Sequence, residues 1–143
     1  IFKKGAIKVK RSIKALVLTI AVVLCGVTVV SASSHTFGSI TNLTSGSTKR
    51  ATGTKNMSEH YYTAKVVRDS IATNSASFTA YVMRPTNTTG TSGTTLFTAG
   101  MTLNTTMTSY SATYGGYVES GDKGMKFTGS SGKVSFTPTL IGS

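Results

Sequence analysis

The sequence predicts an all-β chain, an antiparallel β-sandwich of jelly-roll or immunoglobulin-like type, preceded by an N-terminal signal-peptide helix. Three observations carry this. After residue 32, threonine, serine and glycine dominate, a composition that suits half-wet strands and the turns between them. Several short segments place apolar residues on alternate positions, which gives one inward and one outward face. Ahead of them, a lysine-rich stretch and an uncharged apolar run follow the order of an export signal.

Lys3, Lys4, Lys8, Lys10, Arg11 and Lys14 precede the apolar residues 15–30, with no acidic residue among them. Such lysines stay on the cytoplasmic side while the apolar run inserts as a short helix, and Val30-Ser31-Ala32 offers the small residues that signal peptidase requires. The expected division is a signal peptide over 1–32, cut after Ala32 with Ser34 the close alternative, and a secreted sandwich domain over 33–143. A retained anchor needs about 20 apolar residues, and Thr19, Gly26 and Thr28 weaken a run that is already shorter. A buried core helix is poorly served by an all-basic flank. The only cysteine, Cys25, lies inside the run, and Leu24 stands where a lipid-attachment signal carries a small residue. The exported part is thus expected to lack thiol chemistry and disulfides, and a packed core must stabilise it.

In Tyr62-Thr63-Ala64-Lys65-Val66 and in Phe78-Thr79-Ala80-Tyr81-Val82 the apolar residues alternate, so both read as strands. Between them, Asp69 to Ser77 carries Asp, Asn and Ser, which favour a turn, so the pair is a hairpin or a sheet-to-sheet crossing. Further strands are expected over 37–43, 48–54, 94–99, 102–108, 111–118, 124–128 and 133–137. Glycine-rich punctuation separates them at Thr89-Gly90-Thr91-Ser92-Gly93, Ser120-Gly121-Asp122-Lys123-Gly124 and Gly129-Ser130-Ser131-Gly132. No helical stripe follows Ala32, which favours an antiparallel sandwich or barrel over a parallel α/β arrangement. The expected core is Phe37, Ile40, Tyr62, Ala64, Val66, Phe78, Ala80, Val82, Leu96, Met101, Leu103, Tyr117, Met125, Phe127, Val134 and Phe136.

The supply of catalytic groups is thin. Beyond residue 32 the histidines and carboxylates are His35, His60, Glu59, Asp69, Glu119 and Asp122. His35 is expected on a mobile terminus, and the adjacent Glu59 and His60 would point to opposite faces of a strand. There is no G-x-S-x-G elbow to support a serine triad with His60 and Asp69. Two separated histidines without cysteine do not make a zinc site, and Glu119 with Asp122 reads as a solvated turn in preference to a calcium loop. Gly129-Ser130-Ser131-Gly132-Lys133 lacks the spacing of a phosphate loop. The expectation is a protein that is not an enzyme and takes no cofactor or metal.

Charge is the remaining clue. The chain carries +11 formally; six of its fifteen basic residues fall in the leader, leaving nine against four acidic ones, a net of +5. Lys49, Arg50, Lys65, Arg68, Arg84 and Lys126 are the expected contacts to an anionic cell-wall polymer or envelope surface, against the plainer reading of a solvated surface. Export disfavours nucleic acid, although Tyr61, Tyr62 and Tyr81 among basic residues could stack bases. Membrane contact is expected only through the leader.

Thr48-Lys49-Arg50 ahead of Tyr62-Thr63-Ala64-Lys65, then Phe78-Thr79-Ala80-Tyr81-Val82, a late Gly124-Met125-Lys126-Phe127 and Val134-Ser135, resemble a largely uncharacterised group of small secreted proteins of Gram-positive bacteria, some associated with bacteriocin-type export genes. The chain departs from that group in having no tryptophan. The resemblance implies an exported all-β domain and assigns no catalytic residues. The expected function is binding at the cell surface, to wall polymers, a protein partner or further copies through exposed strand edges. A bacteriocin-like antibacterial protein is the alternative, its charge guiding it to an anionic envelope.

Overall fold

The structure is a computed structural model that describes residues 32–90 and 92–143. Of the signal peptide expected over 1–32, residues 1–31 lie outside the described residues. Ala32 is exposed, and the first strand begins directly after it.

Among the described residues ten strands follow: β1 (Ser33–Thr36), β2 (Ile40–Thr44), β3 (Thr48–Arg50), β4 (Lys55–Met57), β5 (Tyr62–Ile71), β6 (Ser75–Pro85), β7 (Gly93–Asn104), β8 (Ser109–Tyr114), β9 (Gly121–Ser131) and β10 (Lys133–Gly142). They form two antiparallel sheets. In the first, β1 and β2 lie end to end along β10, followed by β5 and β8; in the second, β3 and β4 lie end to end along β9, followed by β6 and β7. Only β6 and β7 form a hairpin within one sheet, while the connections β2–β3, β4–β5, β5–β6, β7–β8, β8–β9 and β9–β10 all change sheet. That order is the jelly-roll arm of the two architectures the sequence left open.

The alternation read from the sequence is the alternation that fills the core. Ala76, Phe78, Ala80 and Val82 of β6 point inward, as do Tyr62, Ala64 and Val66 of β5 and Met125 and Phe127 of β9. Between them Thr63, Lys65, Thr79 and Tyr81 face out. Phe78, Phe127 and Phe136 meet at the centre of the sandwich, with centroids 4.6, 4.9 and 6.2 Å apart.

Bulges re-aim the strands where strict alternation would fail. Met83 pairs with Thr95 and Val82 with Phe97, so Leu96 is the extra residue, which leaves it half-buried and not in the core as expected. On β2, Thr41 and Asn42 together oppose Ser135, Asn42 takes a φ of 51°, and its N–H donates to Ser135 Oγ at 2.8 Å. Asparagine tolerates that conformation, and the bond gives the buried Ser135 hydroxyl a partner.

Several expectations are corrected. Gly100 does not separate two strands: β7 runs through it from Gly93 to Asn104, and 105–108 is a connection. The strand expected over 48–54 stops at Arg50, and the one over 111–118 is β8, ending at Tyr114. Tyr117, expected in the core, is 63% exposed, because the chain leaves the sheet at Gly115-Gly116 and Val118 takes the buried place. Gly121 to Gly124 open β9, and Gly129 to Ser131 close it; only Gly132, with φ 70°, makes the turn. His35 is no loose terminus. It pairs with Leu140 in the sheet, and its ring stands edge-on to Phe37 at 4.7 Å.

Lys123, read as part of a solvated turn, occupies an inward position of β9 and is fully buried. Its ammonium donates to Glu119 O and Gly121 O, both at 2.9 Å, and lies 5.5 Å above the Tyr62 ring. Burial, helped by the nearby Arg84 charge, lowers its pKa from the ordinary 10.5. The unfolded chain then holds this proton to higher pH than the folded one, so Lys123 adds stability as pH rises through its depressed value toward 10.5. Lys123→Met removes that gain. In urea titrations at neutral pH and at pH near 10, the wild type is expected to gain on the variant as pH rises. Burial also raises the Tyr62 pKa from its ordinary 10.0.

Candidate functional site

The six basic residues singled out in the sequence do not form one patch. Lys49 turns from β3 across the sandwich edge and donates to Thr41 O, tying β3 to β2. Arg68 is similarly engaged through Nη1 with Asn104 O. Arg84 forms a 2.8 Å pair with Glu119 between side chains that are largely exposed, an arrangement that contributes little to stability; it holds the Glu119 carboxyl below its ordinary range. Lys65 stands by itself among hydroxyls on the outer face of the first sheet, paired with Thr139 and Ser111.

Arg50 and Lys126 are brought together. They are direct cross-strand partners on the outer face of the second sheet, and Tyr81 is the next partner along the same row. The Lys126 ammonium sits 4.4 Å from the Tyr81 ring centroid, and Arg50 Nη1 lies 3.3 Å from Met83 Sδ. One cation over an aromatic ring, with a second on the neighbouring strand, can meet a polyanion, the stems of both side chains covering apolar surface.

The sheet edges are the second candidate. Neither β7 nor β8 carries Lys, Arg, Asp, Glu or Pro, and each is the last strand of its sheet. The same holds for β1 and β2 on the opposite edge of the first sheet. By contrast β3 and β4 are three residues each and bear Lys49, Arg50 and Lys55. Short charged edges resist pairing with another chain, and long neutral ones invite it. Edge composition was legible in the sequence, but which strands are edges was not.

The candidate catalytic groups lie apart. Among the described residues no three of His, Cys, Asp and Glu come together as a metal site would require. His60 and Asp69 are at opposite ends of β5. Asp69 accepts from Thr137 Oγ1 at 3.0 Å, and Asp122 accepts from Asn56 Nδ2 at 3.0 Å. The Glu59 side chain lies against Gly142, and a hydrogen bond from the Ser33 side chain holds its carboxyl below the ordinary range. His60 turns the other way, onto Tyr117.

No protein-family model matches the chain, and no curated protein matches it. Among solved structures it is similar to a chain of Bacillus endospore appendages, described as a novel family of disulfide-linked pili, with 16% identity over 79% of this chain and 88% of that one and a TM-score of 0.38. It is also similar to a chain of infectious bursal disease virus, Gx strain, with 10% identity over 78% of this chain and 31% of that one and a TM-score of 0.40.

Proposed function

We propose that the chain is an exported, non-enzymatic surface protein that acts by associating with further copies of itself through its open sheet edges. The observation that carries this reading is the run of neutral, proline-free edge strands β7 and β8, unlike the charged, interrupted edge of β3 and β4. Each unpaired edge exposes a row of N–H and C=O groups that another strand can satisfy. A pairing between two different edges does not close on itself, so it grows as an open chain of copies. Export rests on the leader.

The test is the assembly state of residues 33–143, by light scattering and electron microscopy from micromolar to millimolar concentration. Ordered assemblies that grow with concentration are expected. Lysines at Thr98 and Thr102 of β7, or at Ser111 and Thr113 of β8, are expected to abolish assembly in at least one pair while leaving the circular dichroism spectrum unchanged. All four positions are exposed, so the fold tolerates them. A wild type that stays monomeric throughout overturns the reading.

The Arg50, Lys126 and Tyr81 row favours a second reading, contact with an anionic wall polymer. Binding to purified teichoic acid should fall with salt and fall further in Arg50→Ser with Lys126→Ser. Unchanged binding in the double variant rejects it.

A further inference from the structure

One end of the sandwich gathers the β4–β5 and β8–β9 connections beside Ser33 and Ser143. Three aromatic side chains meet there. Tyr117 is 63% exposed and Tyr61 49%, their ring centroids 6.3 Å apart at 86°. His60 lies flat on Tyr117 at 4.6 Å and 16°. The one other exposed large apolar residue described is Val67, on the outer face of the first sheet beside Thr137 and Ser109. An aromatic cluster left in water, with no aliphatic neighbour of that exposure, is not a surplus of core.

The cluster is held rigidly. Val118 N donates to His60 O at 2.8 Å, and His60 Nδ1 donates to Val118 O at 3.0 Å. Tyr61 and Ser143 exchange both backbone bonds, at 3.3 and 2.9 Å. Gly116 presses so close to Tyr114 that a Cβ there would come within 2.6 Å of the ring. The backbone on both sides of the exposed rings is therefore fixed before any ligand arrives, and little ordering entropy remains to oppose binding.

From this geometry we infer that His60, Tyr61 and Tyr117 form a stacking subsite for one pyranose ring of an unbranched β-linked glycan. The exposed apolar area suits a small ligand: two half-exposed tyrosines offer on the order of 200 Å², against about 800 Å² per side for a stable protein interface. The chemistry matches a sugar. An aromatic face carries negative quadrupole density and attracts the weakly positive axial C–H groups that a β-linked pyranose presents. The two phenol hydroxyls can exchange hydrogen bonds with ring hydroxyls. With Nδ1 committed to Val118 O, Nε2 is the His60 nitrogen left to accept one more. The subsite lies at an end of the sandwich, so it stands independently of pairing along the edges.

The test uses residues 33–143 and two soluble probes, tetra-N-acetylchitotetraose and cellotetraose, with maltotetraose and an oligothymidylate as comparators. Ring resonances of Tyr117 and Tyr61 are followed by NMR. The expected result is a saturable shift with at least one β-linked probe, at least tenfold weaker in Tyr117→Ala and retained in Tyr117→Phe. Tyr117 is mostly exposed, so neither change disturbs the core. No saturable shift with either β-linked probe, equal binding by Tyr117→Ala, or tighter binding of maltotetraose or the oligothymidylate overturns the assignment.

Discussion

Phe136→Ala is expected to lower the unfolding free energy by about 3–5 kcal/mol. Phe136 is fully buried on β10 of the first sheet, while Phe78 and Phe127 stand on β6 and β9 of the second. Its ring stacks on Phe78 at 4.6 Å and 11° and meets Phe127 edge-on at 4.9 Å and 73°. The three rings join the two sheets at their centre. Removing the middle one loses its transfer energy, two aromatic contacts of about 0.5–1.5 kcal/mol each, and leaves a cavity that both rigid sheets resist closing. A domain of this size holds only about 5–15 kcal/mol in total, so the variant should unfold at markedly lower urea concentration. Urea titration followed by circular dichroism reads this directly. A loss below about 1 kcal/mol would place the junction between the sheets elsewhere.

That trio shows what the sequence makes legible. Phe78, Phe127 and Phe136 each sit in a segment whose apolar residues fall on alternate positions, and period two is enough to send them inward. What alternation does not carry is the bulge. Thr95-Leu96-Phe97 offers two adjacent apolar residues, and only the pairing with Val82 and Met83 decides that Phe97 is buried and Leu96 displaced. Glycine is the other blind spot. Gly100 and Gly129 read as punctuation, yet both lie within strands, one open to solvent and one crossed by a neighbouring turn. Lys123 misled for the same reason: in Gly121-Asp122-Lys123-Gly124 a lysine looks solvated, and its burial depends on the carbonyls of Glu119 and Gly121 just before it.

The candidate surfaces were less legible than the core because they depend on strand order. Arg50 and Lys126 are far apart in sequence and become neighbours only through the pairing of β3 with β9. Lys49, adjacent to Arg50, goes to the opposite side of the same strand and is spent on Thr41 O. His60, Tyr61 and Tyr117 likewise meet only because β5 begins where the β8–β9 connection passes. A usable signal was present: Gly115-Gly116 ahead of Tyr117 marks a strand end, and a tyrosine just beyond a strand end is free of the alternation that would bury it.

Gly129→Ala is expected to cost about 3 kcal/mol, unusual for the addition of one carbon. A Cβ at Gly129 would lie 2.1 Å from Thr44 O and 2.7 Å from the Thr44 carbonyl carbon, and backbone cannot swing aside as a side-chain tip can. The Thr44–Ser47 turn is fastened to both backbone groups of Gly129: Gly46 N donates to Gly129 O, and Gly129 N donates to Ser47 O, each at 2.9 Å. Ser47 Oγ closes the turn on Thr44 O at 2.7 Å. To admit the methyl group, the turn must lift, which breaks these bonds and loosens β2 from β10, uncovering Ile40 and Leu43. The variant should therefore show a lower urea midpoint together with new binding of a hydrophobic dye. It also separates two routes to assembly. Copies joined along intact edges make ordered chains, whereas copies joined through a core opened at this corner make amorphous aggregate. Electron microscopy of Gly129→Ala beside the wild type distinguishes them, and ordered chains from a variant with a lowered midpoint would show that the β2–β3 corner takes no part in pairing.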